Sequence, residues 1–412
     1  MLTWVHYLVE FAVALIVTAL LVPPVRAFAT SHGIVDKPSP RRVNKVPVPR
    51  MGGLAMYGGF MAAIAAEYVL EATGFWFGPF LTGNGPNTQV IGIVVGISAV
   101  VALGVLDDVY SLKAGVKFGG QIVAACIVAF SGTLIMRFHM PFSSEIVSFG
   151  NWSYLITVIY LVCFINIINL IDGLDGLAAG ISGIAALALF FIVSTLLRTD
   201  AALFSIVIVG MCLAFLFYNF YPASIFMGDS GSMMLGLLLG TISLLGAARF
   251  ASITILLVPI VIAFVPIMDT LGAIIRRTRR HESIAKPDKG HIHHRLLLHG
   301  YSQRKVVLLV YLWTAILSVG AVAMWEMGGV VKYVVFAVML LASAFVSWRI
   351  GLFGPTRIRH GRPDYVYETS EERAARKKAD KEAKGEKAEG PAEAEEPAEA
   401  GEGKGEGDES GA

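Results

Sequence analysis

The chain has 412 residues, 55% hydrophobic and 16% charged, with 33 Lys and Arg against 31 Asp and Glu for a formal net charge of +2. A mean hydropathy of +0.67 excludes an ordinary water-soluble domain, and no nucleic-acid partner is expected.

The apolar residues fall in about eleven runs, at roughly 4–27, 51–72, 88–106, 117–137, 152–171, 175–197, 201–220, 231–247, 252–275, 305–325 and 331–352. Each is near the roughly 20 residues that a helix needs to cross a bilayer. The expected fold is all-α, a polytopic integral membrane protein of about eleven transmembrane helices. The first run, after Met1, has neither a basic leader nor a small-residue cleavage signal and reads as a retained span. Among the loops, 28–50 carries Lys37, Arg41, Arg42, Lys45 and Arg50, and 276–304 carries Arg276, Arg277, Arg279, Arg280, Lys286, Lys289 and Arg295. The segments 73–87, 138–151, 198–200 and 326–330 are nearly free of base. Since Lys and Arg mark cytoplasmic loops, the N-terminus is expected outside and the C-terminus in the cytoplasm. From about Pro355 the chain becomes a Glu/Ala/Lys/Gly tract, so the expected organisation is a membrane domain over 1–354 and a charged, disordered cytoplasmic tail over 355–412. Cys126, Cys163 and Cys212 all lie in apolar runs, without metal or disulfide spacing, and read as core residues.

Polar motifs interrupt this pattern at one membrane face. Asn166, Asn169 and Asp172 recur at i, i+3 and i+6 on one helical face at the end of the fifth run, and Asp175 follows Gly173 just beyond. The loop with Asp107, Asp108 and Lys117 follows the third run, Phe226 to Ser232 (FMGDSGS) precedes the eighth, and Pro287 to Leu297 (PDKGHIHHRLL) follows the ninth. The opposite face is expected to hold almost no ionisable groups. Singly, each acid is a helix cap or a surface charge; together, such costly residues on one face mark a site.

The chemistry follows from the residue types. Carboxylates with room for water suit Mg²⁺, which usually arrives with substrate phosphates, and the gathered bases suit the phosphates themselves. Asp229 sits in a small-residue turn at a helix start, where free N–H groups receive an anion and a carboxylate reaches a cation. Asp107 and Asp108 are adjacent, so on a helix end they point about 100° apart and divide two tasks, metal binding and assistance to a nucleophile. His291, His293 and His294 beside Arg295 lack the Glu of a metalloprotease helix, which favours phosphate recognition or proton donation over zinc.

The motifs VPRMGGLAMYGG, LDDVYSLKAGVKFGGQ, NIINLIDGLDGLAAG, FMGDSGS, PIMDTLGAIIRR and PDKGHIHHRLL together resemble the polyprenyl-phosphate N-acetylhexosamine-1-phosphate transferase family, and most closely its bacterial branch that transfers GlcNAc-1-phosphate to undecaprenyl phosphate. The resemblance runs from the first span to about residue 350. It implies a Mg²⁺-dependent enzyme, with Mn²⁺ as a substitute, of the bacterial plasma membrane. At the cytoplasmic face UDP-GlcNAc and undecaprenyl phosphate would give undecaprenyl diphospho-GlcNAc and UMP, the first membrane step of a cell-envelope glycan. It further implies Asp107, Asp108 and Asp229 as catalytic residues, with Asp229, Asp107 and Asn166 at the metal. Arg50, Lys117, Asn166, Asn169, Asp172, Asp175, His291, His293, His294 and Arg295 are implied on the substrates, and a homodimer is compatible with the family. The lysine that the sister branch sets against the nucleotide falls near Lys45, at a different spacing from Met51-Gly52-Gly53. That branch transfers phospho-MurNAc-pentapeptide in peptidoglycan synthesis; Arg50 and Arg295 favour the GlcNAc branch. A rival of another class is an ion-coupled transporter, whose acids would thread the bilayer instead of collecting at one face.

Overall fold

The computed structural model describes residues 3–36, 47–82, 85–139, 146–250, 264–279, 281, 292, 295–296, 300–327 and 329–352. His291, His293, His294, Lys45, the first part (252–263) of the run 252–275 and the whole tail lie outside the described residues. The helices are α1 (Thr3–Ser31), α2 (Gly52–Ala72), α3 (Thr88–Tyr110), α4 (Ala114–Phe130), α5 (Trp152–Ile171), α6 (Leu177–Thr195), α7 (Thr199–Asn219), α8 (Gly228–Phe250), α9 (Phe264–Arg279), α10 (Gln303–Glu326) and α11 (Val331–Arg349). Among the described residues nine are long and apolar enough to cross a membrane, while α4 is a shorter apolar helix; the chain is a multi-pass helical membrane protein.

Three short antiparallel strand pairs accompany the helices: β1 (Val35–Asp36) with β2 (Val48–Pro49), β3 (Leu81–Thr82) with β4 (Gly85–Pro86), and β5 (Arg137–His139) with β6 (Ile146–Ser148). Pairing satisfies backbone groups that lipid or a buried loop would leave without partners. The β1–β2 pair leads straight into the site, because beyond β2 the chain is laced to the segment before α8: Phe226 N donates to Pro49 O at 2.8 Å, Gly52 N to Phe226 O at 2.9 Å and Gly53 N to Met227 O at 2.8 Å.

Helix α8 is the hub, with α2, α3, α5, α6 and α7 all packed on it. Its small residues permit this closeness. A methyl at Gly236 would lie 2.6 Å from the Ile165 Cα of α5, so the two backbones touch where a larger residue would separate them.

Two expectations are corrected. Asp107 and Asp108 do not follow the third span in a loop; α3 continues to Tyr110, so both stand in its last turn, and Lys117 stands in the first turn of α4. Ionisable groups are also not confined to one face. Where α1 begins and α2 ends, His6 Nε2 and Glu67 Oε2 lie 2.6 Å apart, Trp76 Nε1 donates to Glu67 at 3.1 Å, and Glu71 accepts from Phe80 N and Leu81 N at 2.9 and 2.7 Å. Glu10 is fully buried and, among the described residues, neither of its carboxylate oxygens has a hydrogen-bond partner. A helix pattern shows that a face is apolar on average, not that two isolated acids on different helices will meet.

Candidate active site

Four helix ends converge at the other end of the bundle: α3 and α5 finish there, and α4 and α8 start there. Lys117 Nζ on α4 lies 3.0 Å from Asp107 Oδ2 on α3 and 2.7 Å from Asp229 Oδ1 on α8. Asn169 Nδ2 on α5 donates to the same Asp229 oxygen and, at 2.9 Å, to Ser232 Oγ. One ammonium thus bridges two carboxylates that would otherwise repel, and one amide fixes the rotamer of the second.

Asp108 is occupied differently from its neighbour. Its oxygens accept from Asp229 N at 2.9 Å, Ser230 N at 3.2 Å and Ser230 Oγ at 2.8 Å. The first two are free N–H groups of the first turn of α8 and the third is a hydroxyl of the same turn, so a carboxylate from α3 caps another helix and meets the positive end of its dipole. The close approach depends on glycines: a methyl at Gly104 would lie 2.3 Å from Ser230 Cα, and one at Gly53 2.0 Å from Gly231 N. Gly228, with φ +72°, is in the left-handed region, and its missing side chain leaves the space that Asp108 fills. Asp107, by contrast, spends one oxygen on Leu112 N at 2.7 Å and turns the other to Lys117.

Asn166 lies one turn deeper in α5, its Nδ2 donating to Gln121 Oε1 and Val162 O, each at 2.8 Å. Asp172 and Asp175 stand in the turn after α5. Asp175 accepts from Ala223 N at 2.9 Å and so ties this turn to the segment before α8. Burial, and then the negative charges of Asp229, Asp108 and Asp175, push the Asp172 carboxyl up to about 8. Folded Asp172 therefore keeps a proton over a range in which the unfolded chain, near about 3.9, has lost it, and stability falls as pH rises through that range. The melting temperature of detergent-purified protein is expected to decline from about pH 6 to about pH 8, and Asp172→Asn to flatten that slope; an unchanged slope in the variant would assign it elsewhere.

Of the remaining sequence candidates, Arg50 and Arg295 fall within the described residues. Arg50 donates to Asp36 across the β1–β2 pair, just ahead of Gly52 and Gly53. Arg295 is buried, and a methyl at Gly351 would lie 3.2 Å from its guanidinium. Nearby in sequence, Ile292 N donates to Asp269 Oδ1 at 2.7 Å, tying this segment to α9. The sequence reading missed Gln121, Ser230, Ser232 and Gly104. The two serines stood in a quoted motif without a role, and Gly104 shows only as a small residue one turn before the acid pair.

Two side chains of this group, Asp107 and Asp229, are carboxylates at hand for a ligand or for Lys117, and among the described residues no three His, Cys, Asp or Glu groups converge as a complete metal cage.

A family model described as glycosyl transferase family 4 matches residues 90–247. The chain is similar, at 39% identity over 320 residues (78% of this chain, 85% of the relative), to a probable undecaprenyl-phosphate N-acetylglucosaminyl 1-phosphate transferase of Bacillus subtilis. It is 39% identical over 331 residues (75% and 80%) to a decaprenyl-phosphate N-acetylglucosaminephosphotransferase of Mycobacterium tuberculosis. A phospho-N-acetylmuramoyl-pentapeptide-transferase of Desulforamulus reducens is more distant, at 29% identity over 345 residues (78% and 96%).

Proposed function

Since the chain belongs to the polyprenyl-phosphate N-acetylhexosamine-1-phosphate transferases of glycosyl transferase family 4 and is a membrane phosphoglycosyl transferase, we propose that it moves GlcNAc-1-phosphate from UDP-GlcNAc to undecaprenyl phosphate and releases UMP. The observation that carries this reading is the Asp107–Lys117–Asp229 bridge, fixed by Asn169 and Asp108 at one end of the bundle. The basic loops expected on the cytoplasmic side belong to this same end, which supports a cytoplasmic site in the plasma membrane.

The donor set fits Mg²⁺, or Mn²⁺ in its place: Asp107 and Asp229 offer carboxylate oxygens without forming a closed cage, and a cation of this kind takes its other ligands from phosphates and water. Bound there, it would neutralise the diphosphate. Asn166 keeps its carbonyl oxygen for a ligand, since both of its N–H bonds are taken.

In the proposed reaction a phosphate oxygen of the lipid attacks the β-phosphorus of the sugar nucleotide. A new P–O bond forms, the bond to the α-phosphate oxygen breaks, and UMP leaves with the electron pair. Lys117 holds the two carboxylates at a fixed separation and brings positive charge to the transferring group. Asp107 is the member of the acid pair placed to assist the lipid phosphate, because Asp108 is spent on the start of α8. Asp172 and Asp175 belong to the nucleotide side, and Arg50 and Arg295 to the choice of sugar.

The test is UMP release by detergent-purified protein with undecaprenyl phosphate, Mg²⁺ and either UDP-GlcNAc or UDP-MurNAc-pentapeptide. Turnover with UDP-GlcNAc alone is expected. Turnover with the MurNAc nucleotide alone would transfer the protein to the peptidoglycan branch, and none with either would reject the reading.

A further inference from the structure

We propose that Gln121 is a positioning residue of this site, acting through Asn166 and through the spacing of α4 from α8. The three helices that carry Lys117, Asn169 and Asp229 meet a second time one turn below. Gln121 follows Lys117 by four residues on α4, Met233 follows Asp229 by four on α8, and Asn166 precedes Asn169 by three on α5. These intervals correspond to about 4.5–6 Å along each helix. In the upper layer the lysine and the asparagine converge on Asp229. In the lower layer Gln121, 1% exposed, joins the same helices, with Oε1 accepting from Asn166 Nδ2 at 2.8 Å and Nε2 donating to Met233 Sδ at 3.3 Å.

The orientation of every amide in this layer follows from one backbone atom. Val162 O accepts only, so Asn166 must present its NH₂ there. That NH₂ also faces Gln121, which must answer with its carbonyl oxygen, and the Gln121 NH₂ is left for the thioether of Met233. Gln121 thereby keeps Asn166 from turning, and Asn166 Oδ1 is held as the one polar atom of that side chain available to a ligand. A scaffold role alone would be served as well by an apolar residue, since a buried amide costs more than it returns unless each of its groups is paired.

The variant that separates these roles is Gln121→Met, which keeps the length of the side chain and removes the amide. Its melting temperature is expected to match that of the wild type. Its kcat for UMP release is expected to fall about tenfold or more, with the KM for the sugar nucleotide moving less than about threefold. Asn166→Leu should lose a similar factor, and the double variant no more than the larger single loss, because the two residues act as one unit. Wild-type turnover in Gln121→Met, or losses that multiply in the double variant, would overturn the inference.

The inference rests on the transferase reading, and Mn²⁺ binding followed by EPR on the same proteins separates the two. A wild type that binds Mn²⁺ without releasing UMP rejects the substrate reading, and the inference then stands or falls on whether Gln121→Met binds Mn²⁺ several-fold more weakly. A wild type that does neither rejects both.

Discussion

Asp229→Asn is expected to lower turnover by about a thousandfold, equivalent to roughly 4 kcal/mol of transition-state stabilisation, while the protein stays folded. The physical reason lies in what surrounds Asp229 Oδ1, which takes Lys117 Nζ at 2.7 Å and Asn169 Nδ2 as well. An amide in this place either turns its NH₂ toward two donors or meets them with a neutral oxygen, and in both cases Lys117 loses one of its two counter-charges. Lys117 would then relax toward Asp107 alone, and the charge arranged for the transferring phosphate would shift with it. The measurement is kcat for UMP release beside a melting curve in the same detergent. A loss below about tenfold would remove Asp229 from the reacting group, and a collapsed melting transition would make its role structural.

The second large effect divides two adjacent residues. Asp108→Asn should cost about 1–3 kcal/mol of stability in addition to a roughly hundredfold loss of turnover, because one of its oxygens becomes an NH₂ facing N–H and O–H donors. The start of α8 then loses its cap, and Asp229, which belongs to that first turn, is displaced. Asp107→Asn should lose comparable turnover with little change in stability, since one of its oxygens can still accept from Leu112 N while the other faces the side chains of Lys117 and Asp229 and caps no helix start. Chemical denaturation in detergent, paired with the UMP assay, reads both quantities. Equal destabilisation by the two substitutions would abolish the division proposed here.

This split shows where sequence reasoning reaches its limit. Helix ends alternate between membrane faces, so a count of spans is enough to bring Asp107, Asp108, Lys117, Asn169, Asp172 and Asp229 to one end of the bundle. Which of two neighbouring aspartates caps a helix depends on α3 touching α8, and that contact depends on Gly104, as the approach of α2 to α8 depends on Gly53; either requirement appears only when the partner backbone is in place. Gln121 reads as a single amide inside an apolar run until Asn166 and Met233 are found beside it. The His6–Glu67 contact escaped for a related reason: its members lie 61 residues apart, and neither helix shows a polar face long enough to announce the other. What one helix does to its own residues is legible by periodicity, whereas what two helices do to each other has to be seen.

The His6, Glu10, Glu67 and Glu71 group also bears on how the protein is made. Glu10 lies seven residues after the start of α1, about 10 Å into a 29-residue helix, so in a lone span it costs less than the roughly 3 kcal/mol of an acid at the centre. During synthesis α1 emerges before α2, so it meets the insertion machinery carrying His6 and Glu10 without Glu67 or Trp76 to receive His6. Since α1 is long and apolar enough to cross a membrane by itself, the arrival of α2 is expected to lower the cost of a helix already inserted, by bringing Glu67 to His6, and a chain cut after α1 is expected to hold its place in the bilayer less firmly than one cut after α2.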